Sequence, residues 1–181
     1  MAIPFRDLRS EEDLGLAGYL RFVPEAEGRG LRGALFLVNA RGEPVDFAFS
    51  RVDVPASFLW RAGEAKRHAV AALTSALFQA SPKNPNILLA LADEVNTHLF
   101  TEDILVDIPL CRVANAEDIP HAVTESVETL SVTAHLFWVA QPPTEDSLAR
   151  KLLACLQARQ ILTEPFERAA RGLEEAFAGD P

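Results

Sequence analysis

The residues with the clearest capacity for chemistry come after an apolar run. Beyond Asn86-Ile87-Leu88-Leu89-Ala90-Leu91-Ala92 the chain places Asp93-Glu94, then His98, then Glu102-Asp103. Carboxylates and an imidazole are donors that can hold Mn²⁺ or Mg²⁺. On a helix, Glu94, His98 and Glu102 would share one face at i, i+4 and i+8. Carboxylates at the carboxyl end of a buried strand also stand where α/β folds commonly place ligands. Asp93, Glu94, His98 and Glu102 are therefore the candidate metal ligands. An acidic loop with a capping carboxylate would carry the same residues, and the spacing matches no dedicated metal motif.

A second set is cationic: Arg21, Arg29, Arg32, Arg41, Arg51, Arg61, Lys66 and Arg67. Arginine pairs with phosphate or with carboxylates, which makes Arg29, Arg32, Arg61 and Arg67 candidate binding residues. Six acids are interspersed with these eight cations, leaving only +2 between residues 21 and 67. A nucleic-acid footprint usually shows a clearer basic stripe. Gly28-Arg29-Gly30 and Gly33 precede a strand rather than a helix, so they do not build a phosphate cradle. His68, His121 and His135 are scattered, and no H-E-x-x-H, G-x-S-x-G, G-x-x-x-x-G-K-[ST] or G-x-G-x-x-G occurs. Cys111 and Cys155 sit singly in apolar surroundings and read as structural thiols of a reducing, intracellular compartment.

Elements must position these residues. Ser10 with Glu11-Glu12-Asp13 suits the start of a short helix. Residues 19–23 read as a strand ending at Pro24. Residues 31–39 are apolar on both alternating faces, which predicts a strand inside a sheet. Arg41-Gly42-Glu43-Pro44 is a turn, and residues 45–54 alternate, completing a β-hairpin. An Ala-rich helix is expected over residues 57–79, lying close against the sheet. The run at 86–92 reads as a buried strand parallel to an earlier one. Residues 101–113 have strand character, gathered at Ile104-Leu105-Val106 and Ile108, and residues 127–139 alternate as one strand. Two amphipathic helices end the chain, one through Leu148, Leu152, Cys155 and Leu156, the other through Phe166, Ala170, Leu173 and Phe177, with Thr163 as a candidate cap.

Three antiparallel strands, a helix and a parallel strand form the order in which ribonuclease H-like folds begin, and the first half of the chain resembles them in that order. Nuclease members carry a carboxylate in the first strand, another on or near the first helix, and another at the end of the fourth strand. The resemblance assigns Asp93 to the last position and Glu64 to the second. Residues 19–23 contain no carboxylate, and Glu25 and Glu27 lie beyond Pro24. That departure implies a repurposed version of the fold, because a two-ion mechanism needs acids to clamp both ions.

Composition bounds the reading. A chain of 181 residues, 49% hydrophobic and 24% charged, is expected to form a single α/β domain over 1–181, with 144–181 as its C-terminal helical segment. The expected fold is a mixed sheet that begins with an antiparallel hairpin, is packed by the long helix, and ends in two helices. No apolar run is long enough to span a bilayer, no export signal opens the chain, and a cytoplasmic location is expected. Net charge is −9: residues 1–90 hold 11 basic against 10 acidic residues, and residues 91–181 hold 6 against 16. Between residues 93 and 146 the only Lys or Arg is Arg112.

Three functions are compatible with these features. The first is a non-catalytic interaction subunit without a cofactor, engaging a protein partner or a second copy through the C-terminal helices and the acidic region 93–146. It rests on the missing motifs, the polarised charge and the surplus apolar residues Phe58-Leu59-Trp60, Leu99-Phe100 and 136–139. The alternative is a metal-dependent phosphodiester hydrolase with a degenerate ribonuclease H-like site. The third is a nucleic-acid-binding module using the arginines of the first half.

Overall fold

A computed structural model describes residues 13–115, 120, 124–132 and 134–179. Seven strands form one mixed sheet: β1 (Ala17–Pro24), β2 (Gly30–Val38), β3 (Pro44–Asp53), β4 (Ile87–Leu91), β5 (Leu110–Ala114), β6 (Ser126–Ser131) and β7 (Ala134–Trp138). Their order across the sheet is β3-β2-β1-β4-β5-β7-β6. The first three strands pair antiparallel, β4 and β5 run parallel to β1, and the β6–β7 hairpin closes the far side antiparallel to β5.

The expected hairpin is β2 and β3, joined through Asn39–Glu43, where the Asn39 side chain accepts from the Arg41 and Glu43 amides. Gly42 takes φ +76° in that turn, a conformation that costs glycine little. β2 is buried on both faces, as its two-sided apolar pattern requires. Alternation then sorts the side chains into two layers. Leu20, Leu35, Leu37 and Leu88 face one side with Leu73 and Leu77 of helix α1 (Glu64–Ala80). Tyr19, Phe36, Leu89 and Trp138 face the other, covered by helices α2 (Leu148–Ala158) and α3 (Glu164–Ala176). Helix α1 does lie close, and the close contact is made at Gly33 of β2: a Cβ there would stand 2.7 Å from Leu73 Cδ2.

Several expectations are corrected. The helix expected over 57–79 is split. Ser57–Leu59 is one 3₁₀ turn, and α1 starts after Gly63, whose φ of +82° breaks the helical path. Within 101–113 the strand is only the last part: residues 101–103 end a π-helical turn, 104–108 form no strand, and β5 begins at Leu110, where Cys111 and Val113 fill one core. The single strand expected over 127–139 is two strands, with Val132 exposed at the turn between them. Period-two alternation is the same in one strand and in two joined by a tight turn. Thr163 precedes α3 without a side-chain cap, and Pro165 opens the helix instead. The expected helix start at Ser10, together with His121, lies outside the described residues.

Candidate functional site

β1 and β4 run side by side, with Leu20 opposite Ala90 at the end of their register. Both strands therefore bring the residues at their carboxyl ends to the same edge. β1 delivers Arg21 and Phe22, and β4 delivers Asp93 and Glu94. The chain then bends through an Asx turn, in which Asn96 Oδ1 accepts from the amides of His98 (3.0 Å) and Leu99 (3.2 Å). A π-helical turn, Leu99–Asp103, comes next. Facing it is the amino end of α1. Between them lies a cleft of about 410 Å³, walled by Gly63, Lys66 and Arg67 on the α1 side and by Asp93, Glu94 and His98 on the β4 side.

The charges at this cleft are mostly committed. Arg21 Nη1 pairs with Glu94 Oε1, and the Phe22 amide donates to the other Glu94 oxygen at 2.9 Å. Arg67 grips Asp103 with Nε and Nη2 (2.8 and 2.7 Å) and Glu102 with Nη2 (2.8 Å). His98 Nδ1 meets the second Glu102 oxygen at 2.9 Å. The hydrogen bond from Arg67 holds both carboxyl groups below their usual range, and His98 adds to the effect on Glu102. Beneath the cleft, Arg112 is 1% exposed and makes a bidentate pair with Glu125 (2.8 Å from Nε and from Nη2). Its remaining donors reach the carbonyls of Val95 (3.1 Å), Pro120 (3.0 Å) and, more distantly, Ala92 (3.4 Å). Arg112 thus ties the β4 exit loop to the chain beyond β5.

The sequence-derived candidates are only partly united. Asp93, Glu94, His98 and Arg67 line the cleft. Glu102 belongs to the clip across its end. Glu64 opens into a neighbouring pocket with Trp60, His68 and Asp103, away from Asp93. The shared helical face of Glu94, His98 and Glu102 does not form, because the helical turn begins only at Leu99 and Glu94 is drawn to β1. Among the described residues, no three His, Cys, Asp or Glu side chains converge as a metal site. A divalent ion therefore does not fit the acids as they stand: Glu94 is taken by Arg21, and Glu102 and Asp103 by Arg67.

Arg32 lies elsewhere, donating to Glu25 at 2.7 Å and stacking over Phe177. Arg29 sits beside it at the start of β2 and is exposed; Arg61 is exposed before α1. Reading by type and spacing put Arg21 in the cationic set and noted Arg112 as an isolated cation, but assigned neither to the site. Each had a signal: a lone arginine inside an apolar strand must find a partner or stay at the edge.

Neither family models nor curated proteins give a match to this chain. Solved structures do. Endonuclease V from Streptomyces avermitilis superposes with a TM-score of 0.58 at 15% identity, covering 90% of this chain and 82% of that one. Endonuclease V from Bacillus subtilis gives 0.60 at 11% identity, covering 91% and 81%. The fold is therefore ribonuclease H-like, as the element order suggested.

That likeness overturns the expectation of a non-catalytic interaction subunit, since this architecture is one that nucleases use. The helices agree with the correction. The faces of α2 and α3 expected to dock a partner are spent on the sheet, with Leu152 and Leu156 fully buried and Phe166 and Leu173 nearly so. In the acidic region, Glu94, Glu102, Asp103, Glu125 and Glu128 answer arginines of this same chain. No described helix is long and apolar enough to cross a membrane.

Proposed function

We propose that this chain engages a nucleic-acid phosphodiester in the cleft between α1 and the β4 exit, as a ribonuclease H-like protein with a degenerate site. The observation that carries the reading is the cleft itself. It lies at the carboxyl ends of two parallel strands, with the amino end of a 17-residue helix and Lys66 on its wall. A helix amino end offers free N–H groups and a partial positive charge, and an ammonium adds a mobile donor; together they suit a phosphate. Two further features support it. The proteins sharing the fold are endonucleases by name. Ahead of α1, Phe58 and Leu59 stand 84% and 75% exposed, and Trp60 lines the neighbouring pocket that shares Arg67, resting on His68 with ring centroids 5.1 Å apart. Exposed aromatic faces next to a backbone-binding groove suit stacked bases.

Fluorescence anisotropy with a labelled single-stranded oligonucleotide tests the reading. Lys66→Glu should abolish saturable binding, and Phe58→Ala should weaken it by about 1–3 kcal/mol. Native affinity in both variants would place the contacts elsewhere and sink the proposal.

Hydrolysis at the same cleft is a second reading, favoured by Asp93. That carboxylate is exposed on the cleft wall, and no hydrogen bond or ion pair to a described residue engages it. Cleavage in EDTA that disappears in Asp93→Ala would support it; an uncut substrate would leave binding alone.

A further inference from the structure

We propose that Arg21 is the resident cation of this edge of the sheet, and that the protein engages a phosphodiester there without a divalent ion. The inference rests on the cleft reading above, and goes beyond it by naming what neutralises the acids.

The geometry leaves no open carboxylate pair. Asp93 and Glu94 leave β4 beside the end of β1, the point where two neighbouring acids would concentrate negative charge. Into that point β1 sends a guanidinium. Arg21 takes one Glu94 oxygen, and the Phe22 amide takes the other. Both Glu94 oxygens are thus occupied by donors from one strand, and the two side chains are only 24% and 13% exposed. Asp93 lies close enough to act on Arg21 through its charge. Asp93, Glu94 and Arg21 together carry −1, where the acids alone would carry −2. A divalent ion arriving here would have to break an ion pair and a hydrogen bond to Glu94 and sit beside a fixed positive charge.

An arginine is suited to this permanence. It keeps its charge at any physiological pH, and no chelator removes it. Arg21 is also under-used: only Nη1 pairs with Glu94, and Nε, enclosed beneath the surface, makes no hydrogen bond, which leaves the second terminal nitrogen as the available donor. A guanidinium held by one carboxylate retains donors for an incoming oxyanion.

The test compares the wild-type chain with Arg21→Gln, using Mn²⁺ uptake by electron paramagnetic resonance together with thermal shift. Wild type should take up no Mn²⁺ saturably at millimolar metal. Arg21→Gln should gain a saturable site that is lost again when Asp93→Asn is added. Arg21→Lys should keep the wild-type refusal. A saturable Mn²⁺ site on wild type that Asp93→Asn removes would overturn the proposal. A folded Arg21→Gln with no uptake would overturn it as well. The wild-type arm decides alone should Arg21→Gln not fold.

Oligonucleotide anisotropy in EDTA and in Mg²⁺ completes the experiment. Equal affinity in the two supports the proposal, and binding that needs Mg²⁺ overturns it. Absence of binding in both would withdraw the phosphodiester reading, while the Mn²⁺ arms would still decide the role of Arg21.

Discussion

Arg112 shows how much one side chain can hold. It is fully enclosed, its carboxylate partner Glu125 is equally enclosed, and three carbonyls complete its donor set. Replacing it by methionine would leave a buried carboxylate without its cation, a loss of about 3–5 kcal/mol. For a chain of this size that lowers the melting temperature by roughly 6–20 °C. Removing both charges, as Arg112→Met with Glu125→Leu, should recover part of the loss; calorimetry on the two variants separates an unpaired charge from lost packing. Arg67 behaves differently because it is partly exposed. Its two carboxylate partners are held below their usual range, so the clip stabilises the fold above the ordinary carboxylate pKa near 4 and fades as pH falls through the lowered values. The melting-temperature gap between wild type and Arg67→Gln should hold from pH 7 to 5 and close below about pH 4. A gap that persists in strong acid would mean that packing, not charge, is what Arg67 supplies. The acids of this site were legible in the sequence, because carboxylates after an apolar strand are conspicuous. Arg21 and Arg67 were visible as cations, but their pairing with these acids was not. Arg21 lies 73 positions from Glu94, and only the pairing of β1 with β4 reveals that they meet.

Elements were legible in proportion to how local their signals are. The β2–β3 hairpin carries its own turn, and β4 announces itself by continuous apolarity after a helix. The β6–β7 hairpin was hidden, since alternation continues through its turn and the shift of register between Thr129 and Ser131 leaves no mark in the sequence. The start of α1 was misplaced for a related reason: Phe58-Leu59-Trp60 looks like a helical core segment, yet Gly63 stops it and leaves those side chains in solvent. The contact between α1 and the sheet gives a prediction at this scale. Gly33 lets the helix approach, and a methyl there would stand 2.7 Å from Leu73 Cδ2 and 2.9 Å from its Cγ. Leu73 is wholly buried and cannot yield. Gly33→Ala should therefore destabilise by about 1–3 kcal/mol, as overpacked cores do. Denaturant melts would register this as a lower midpoint with an unchanged slope. Stabilisation instead would mean that α1 is free to shift outward, and with it the cleft wall that carries Lys66.

Across the whole molecule, the acidity concentrated after residue 90 has two destinations. Part is spent inward, on arginines that fix the β4 exit, the π-helical turn and the β6–β7 hairpin; the remainder keeps the net charge at −9. Such a molecule does not attract nucleic acid over long distances. Whatever affinity the cleft has must come from short-range contacts, and that sets a measurable limit. On a single strand each phosphate contact contributes about −0.7 to the slope of log affinity against log salt. A footprint made by the exposed cations Lys66 and Arg61 predicts a total slope of about −1.4, falling to about −0.7 in Arg61→Gln. A slope several times steeper would require a broader basic surface, with Arg29 and its neighbours at the start of β2 the place to look. A slope near zero with binding intact would mean that base stacking on Phe58 and Trp60 carries the affinity. Phe58→Ala would then weaken binding equally at low and high salt.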